Sequence, residues 1–215
     1  EAYGGYGAQT SLWYEWSIRV LEAKLAARRG STEEAIRLAN EIATSTTAPP
    51  VEAIQGDLIA CEALLGAGRA AEAEARLGRV AERIDPRAMP GMWGQFLRFR
   101  GALHGSAGRL SEAYHDIAQS ASVFELIGEG YQGALSHLAL GRLANRVGAR
   151  SQAEHQFARA ASLFQSLGAA RDLLETQSAA ATAIAGVGAD GLVLTSTVFV
   201  DPRGRPVPAM AVERL

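Results

Sequence analysis

Glycine recurs in this chain at Gly30, Gly68, Gly108 and Gly148, at intervals of 38 to 40 residues, and an alanine follows each five residues later: Ala35, Ala73, Ala113 and Ala153. Glycine stops a helix because it accepts left-handed dihedrals without a Cβ penalty. Alanine then allows a second helix to pack back closely on the first. Repetition at this period predicts stacked helical hairpins, each burying its apolar face against its neighbours. Such arrays generally bind other molecules rather than transform them.

The fourth rung is the clearest. Leu140-Gly141 belongs to one helix, Gly148 ends it, and Ala153, Phe157, Ala160, Ala161 and Phe164 recur at the steps of three and four that mark the next. Gly141 and Ala153 are expected to be small because two helices cross there. Equivalent positions are Gly101, Gly108, Ala113, Ile117 and Ser120 in the third repeat, and Cys61, Gly68, Ala73, Leu77 and Val80 in the second. In the first they are Ala23, Gly30, Ala35, Ala39 and Ile42. A fifth first-helix is expected from about Arg171 to Ala185, with Ala181 in register and Gly188 as its stop. Five residues beyond Gly188 stands Val193, inside a β-branched run, so no partner helix follows. The expectation is four hairpins and a closing helix, about nine helices.

Composition fits this reading. A hydrophobic fraction of 48% supports a continuous core, and a net charge of −2 argues against a dedicated nucleic-acid surface. One cysteine, Cys61, excludes an intramolecular disulfide and suits a reducing, cytoplasmic setting. The chain opens on Glu1 without a signal-peptide pattern and is expected to be a piece of something longer. Ala179 to Val200 carries one charge, Asp190, but its central glycines favour a helix, a turn and a strand over a membrane span.

The pattern Leu140-Gly141, Gly148, Ala153, Phe157 and Ala160 resembles the tetratricopeptide repeat (TPR). The hinges Phe124-Glu-Leu-Ile-Gly128-Glu and Phe164-Gln-Ser-Leu-Gly168-Ala resemble its longer, MalT-like form in bacterial signalling ATPases and transcriptional regulators. The large aromatic of the pattern is replaced by Ala39 and Leu77 in the first two repeats, and its final proline appears only as Pro86 and Pro90. The resemblance implies an all-α, right-handed superhelical solenoid over 10–190. Residues 1–9 would be an irregular lead-in, and 191–215 a linker or the start of a following domain. In that tail Thr195 to Val200 reads as strand, Asp201-Pro-Arg-Gly204 as a turn, and Arg205 to Val212 as a second strand or a helix. Thr44 to Pro50 is expected to be the longest loop between repeats.

Catalytic patterns are weak. Gly186-Val-Gly188-Ala-Asp-Gly191 spells GxGxxG, but a helix precedes it and a strand follows, the reverse of a dinucleotide site. His104-Gly-Ser106-Ala-Gly108 has histidine where a nucleophile elbow needs glycine. His104, His115, His137 and His155 lack metal-ligand spacing, so no metal or cofactor is expected. Glu33-Glu34 reads as the acidic first turn of a helix capped by Ser31 or Thr32. Trp13 and Trp16 share a face and are expected to be buried rather than exposed at an interface.

The resemblance also implies that first helices line a concave groove. Its expected residues are Lys24, Arg28, Gln55, Glu62, Gln95, Arg98, Arg142, Asn145, Arg146 and Glu175. Cations outnumber anions there, which would favour an acidic protein or peptide segment. The competing reading is that these are simply the polar faces of amphipathic helices. Function is thus expected to be non-catalytic: a sensor or scaffold segment of a larger regulator, binding a peptide, a partner or another copy. The alternative is an intramolecular role, restraining an adjacent ATPase or DNA-binding domain.

Overall fold

The computed structural model describes residues 4–185 and the pairs 193–194, 199–200 and 206–207, with side chains described over 14–183. Among them are nine helices: α1 Gly4–Arg29, α2 Thr32–Thr44, α3 Pro50–Gly66, α4 Ala70–Ala81, α5 Pro90–Ser106, α6 Leu110–Ile127, α7 Gly130–Arg146, α8 Arg150–Ser166 and α9 Ala170–Ala185. The chain divides into two compact units, one ending at Pro86 and the other starting at Arg87. Within each, consecutive helices pack as antiparallel hairpins, and first helices also touch first helices: α1 with α3, α5 with α7, α7 with α9. This is the stacking of a helical solenoid. No described helix is long and apolar enough to cross a membrane.

The glycine ladder is a ladder of helix stops. Gly30, Gly68, Gly108, Gly128, Gly148 and Gly168 all have positive φ, between +68° and +78°. Gly148 shows the common geometry. Its N–H donates to Asn145 O at 3.0 Å and the next N–H, of Ala149, reaches back to Ala144 O at 2.9 Å. These two bonds close the helix end on itself and satisfy carbonyls that the helix would leave open. Ala149 O then accepts from Ala153 N at 2.9 Å, so the residue after the glycine is already the N-cap of α8. A three-residue connection of this kind, 147–149, allows little slack between the helices. In the second unit the stops fall every 20 residues, at 108, 128, 148 and 168, ending second helices as well as first.

Where glycine is missing, proline takes over. Pro50 and Pro90 sit at the first turns of α3 and α5, where a missing N–H costs no hydrogen bond. Pro90 thus starts a helix rather than ending one. The longest connection is 82–89, between α4 and α5, and not Thr44 to Pro50. The latter is shortened because α2 runs to Thr44 and α3 opens at Pro50. Ser31 precedes α2 without a side-chain cap; its backbone carbonyl serves instead, accepting from Ala35 N at 2.9 Å.

Small residues sit where helices cross. A Cβ on Gly141 would lie 2.6 Å from the Phe157 ring, and one on Gly101 would lie 2.5 Å from Ile117 Cγ1. Cys61, at the same register in α3, is fully buried, and its thiol donates to Ala73 O at 3.4 Å. Ala35, Ala73, Ala113 and Ala153 are all inaccessible to solvent. Around these crossings Trp16, Val20, Ala39, Ile42 and Ile59 form the core of the first unit. Ile117, Leu138, Phe157 and Phe164 belong to that of the second. Trp16 is buried as expected; the side chain of Trp13 lies outside the described residues.

At Ala181, the fifth position of this register, the residue is exposed. Gly188 and the GxGxxG segment lie outside the described residues. Beyond them β1 Val193–Leu194, β2 Phe199–Val200 and β3 Pro206–Val207 form an antiparallel ladder in that order. Val193 is thus in a strand, and the return after Asp201-Pro-Arg-Gly204 is a strand rather than a helix.

Two outcomes follow from these crossings. Gly56→Ala should destabilise the fold by about 1–3 kcal/mol in urea denaturation, because the new methyl meets the backbone of α2, which cannot rotate away. Its Cβ would lie 2.8 Å from Ala39 O and 3.0 Å from Ala43 N. Gly78→Ala, with open space around it, should instead gain up to about 1 kcal/mol of helix propensity. The second concerns Cys61, whose thiol burial pushes up from 9.0 to about 12, with Asp57 adding to the rise against Arg76 and Arg79. Its folded pKa lies above its unfolded one, so its contribution is full below pH 9 and fades between 9 and 12. The stability difference between wild type and Cys61→Ala should therefore narrow over that window.

Candidate functional site

Backbone register decides which expected groove residues can meet a ligand. In the first unit Lys24, Arg28 and Glu62 are half-buried, while Gln55 is buried with its amide nitrogen unpartnered. In the second, Gln95 is half-buried and Arg98 is buried. Arg142, Asn145, Arg146 and Glu175 are exposed. The expected groove therefore loses Gln55 and Arg98, because both point into packing between helices rather than toward solvent.

Arg98 is a tie between repeats. From α5 it donates to Gln132 Oε1 at 2.8 Å, Gln132 O at 3.3 Å and Ser136 Oγ at 3.4 Å, all on α7. Its guanidinium also lies 5.3 Å from the Phe99 ring centroid and 5.7 Å from that of Phe124, close enough for cation–π attraction. Ser136 stands 2.9 Å from Ser120 Oγ, which in turn reaches Gly94 O at 2.7 Å. One buried polar network thus joins α5, α6 and α7. Arginine suits the place because its fork of donors satisfies several acceptors at once.

Arg142, Asn145, Arg146 and Glu175 lie on exposed faces of α7 and α9. Arg142, Asn145 and Arg146 are spaced by three and four along α7, which puts them on one face. Arg142 Nη2 meets Glu175 Oε1 of α9 at 2.6 Å, both side chains about half exposed. Arg146 reaches the other way: its Nη1 would be 3.9 Å from a Cβ on Gly105 of α5. Two guanidinium groups therefore span the first-helix layer, one toward each neighbour. Arg142 is held by an exposed carboxylate whose place an incoming acid could take.

Two arginine–carboxylate clusters escape the sequence reading. Buried Asp57 of α3 accepts from Arg76 at 3.1 Å and Arg79 at 2.7 Å, both on α4, and from Arg83 just past its end. Their spacing of three and four was legible as one basic helix face, but Asp57 lies in the other helix of the hairpin. Buried Asp116 of α6 accepts two bonds from Arg100, at 2.6 and 2.8 Å, with His104 Nδ1 at 3.2 Å. The carboxylate bonded to Arg100 raises the arginine's pKa further.

The histidines divide by environment. His115 and His155 are exposed. His137 is buried, its Nδ1 2.8 Å from Gln156 Oε1 and its Nε2 3.4 Å from Glu125, which also pairs with Arg159. Among the described residues no group of histidine, cysteine and carboxylate side chains is arranged to hold a metal ion.

No family model, no curated protein and no solved structure matches this chain.

Arg98→Ala should cost about 2–3 kcal/mol in chemical denaturation, because buried acceptors on α7 lose their donor. Arg142→Ala, at a solvent-exposed pair, should cost about 1 kcal/mol or less in the same measurement.

Proposed function

We propose that the chain is a TPR-like interaction module, non-catalytic, and that it takes an acidic segment of a protein or peptide along the first-helix layer of α7 and α9. The observation that carries this reading is the exposed Arg142–Glu175 pair with Asn145 and Arg146 beside it. In the resting protein Glu175 occupies Arg142 much as a ligand carboxylate would. A surface pair of this kind contributes little to stability, so its exchange for another acid costs little. Arg146 then supplies a second guanidinium one turn away for a neighbouring carboxylate. The repeated hairpins give the reading its wider frame, a MalT-like segment of a cytoplasmic bacterial signalling or transcriptional regulator. Each repeat touches its neighbours, so a ligand that bridges two first helices would favour one spacing of the stack and relay that to an attached domain.

The test is anisotropy titration of a fluorescent glutamate-rich peptide. Glu175→Gln should bind more tightly than wild type, since Arg142 loses its internal competitor. Arg142→Glu with Arg146→Glu should bind about tenfold or more weakly, and salt should weaken the wild type. Equal affinities across the three proteins would overturn the reading. Derepression of the longer regulator by the arginine changes, without peptide binding, would instead favour intramolecular restraint of a neighbouring domain.

A further inference from the structure

Asp57 draws more positive charge than its burial requires. The residue is 1% exposed, and its carboxylate is met by Arg76, Arg79 and Arg83. Asp116, 3% exposed in the second unit, faces the same loss of solvent. One arginine answers it there: Arg100 binds both carboxylate oxygens, and His104 stands beside them. A bidentate arginine is a strong way to hold a carboxylate. At Asp57 no arginine binds both oxygens. Three guanidinium groups each give it one hydrogen bond and keep their other donors for something else.

Those other donors are only partly used. Arg76, the least exposed of the three, donates to Asp57 Oδ1 and to Asn40 Oδ1 of α2. Arg83 donates to Asp57 Oδ2 and, through Nε, to Arg79 O at 3.1 Å. Arg79 donates through Nη2 alone. Its Nε and Nη1, and Nη1 of Arg83, meet no acceptor among the described residues. The Arg79 and Arg83 side chains are 50% and 37% exposed, so these donors are within reach of a solute. Spacings of three and four put the three arginines on one face at the end of α4, with their guanidinium groups side by side over Asp57.

Charge makes the same point. Three cations against one carboxylate leave a local excess of two positive charges. Glu72, one turn before Arg76, is held by Arg69, as is Glu33 of α2. Glu82 pairs with none of the three among the described residues. Like charges this close repel, and a single carboxylate offsets only part of that. The end of a helix favours cations through its dipole. Here, however, the carbonyl of Arg79 already takes Nε of Arg83 and leaves the other donors open.

We propose that Arg79 and Arg83, with Arg76 behind them, bind a phosphate dianion, either the free ion or the monoester group of a small phosphorylated molecule. Asp57 is the anchor of the site. It holds the arginines from beneath, so that less side-chain freedom is lost when the anion arrives. The planar fork of arginine matches the oxygens of phosphate, and two such forks side by side can each give paired hydrogen bonds. A phosphate monoester carries close to two negative charges at neutral pH, which equals the local excess. A carboxylate or a phosphodiester carries one and leaves a cation unbalanced. The site is therefore distinct in chemistry and place from the acidic-peptide edge of α7 and α9, and it is not matched to a nucleic-acid backbone.

Isothermal titration calorimetry of the 215-residue chain at fixed ionic strength tests the proposal, with inorganic phosphate, O-phosphoserine, dimethyl phosphate and acetate as probes. The first two should bind one per chain, and the tighter of them identifies the free ion or the monoester as the better ligand. Dimethyl phosphate and acetate, with one charge each, should bind about tenfold or more weakly. Arg79→Gln and Arg83→Gln should each weaken phosphate about tenfold. Arg37→Gln, at a comparably exposed arginine of α2, should leave it unchanged. Asp57 loses a partner in the glutamine variants, so Arg79→Lys accompanies them. It keeps a charge beside Asp57 and removes the fork, and should melt like wild type yet bind phosphate several-fold more weakly. The proposal is overturned if neither dianion binds, if binding is indifferent to all three changes at Arg79 and Arg83, or if acetate or dimethyl phosphate binds as tightly as phosphate. The peptide titration reads Arg142 and Glu175, so failure there leaves this result standing, and the reverse.

Discussion

A methyl group added at Gly56 would sit 2.8 Å from a carbonyl oxygen of α2, and one added at Gly141 would enter the ring of Phe157. Helices this close leave room for no side chain at the crossing, and they bury the alanines beside it completely. Dispersion is strong at such distances because atoms on both sides are in contact without voids. The rest of the structure depends on this approach. It requires short connections, which the left-handed glycines provide, and it fixes which residues of each first helix face the neighbouring repeat.

Charge plays a secondary part in holding the stack and a larger one in defining its surface. Carboxylates that fall inside the packing, Asp57 and Asp116, each recruit arginines from the paired helix. A buried charge without such partners would cost several kcal/mol. Arg98 solves the converse problem, bringing donors to the acceptors of α7. At the exposed edge of α7 and α9, Arg142 is instead paired in water with Glu175, as Arg37, Arg69 and Arg159 are with their own carboxylates elsewhere. Ties between repeats are thus internal, while the proposed peptide surface uses an arginine–carboxylate pair left in water.

The glycine–alanine ladder determined the helices, their order and the hairpin connections, because backbone conformation at a glycine stop and the size limit at a crossing are local properties of one or two residues. The strand at Val193 was legible for the same reason, from β-branched residues alone. Solvent exposure was not. Arg98 and Arg142 stand on first helices with similar neighbours in sequence, yet one is enclosed by Gln132, Ser136 and two phenylalanine rings while the other meets water and Glu175. The exposed residues Tyr14, Ile18, Leu21 and Leu25 of α1 form a stripe whose last three members share their register with covered residues of α3 and α7. Only tertiary packing, which depends on what lies across the helix from each residue, decided that its counterparts are covered and that it is not.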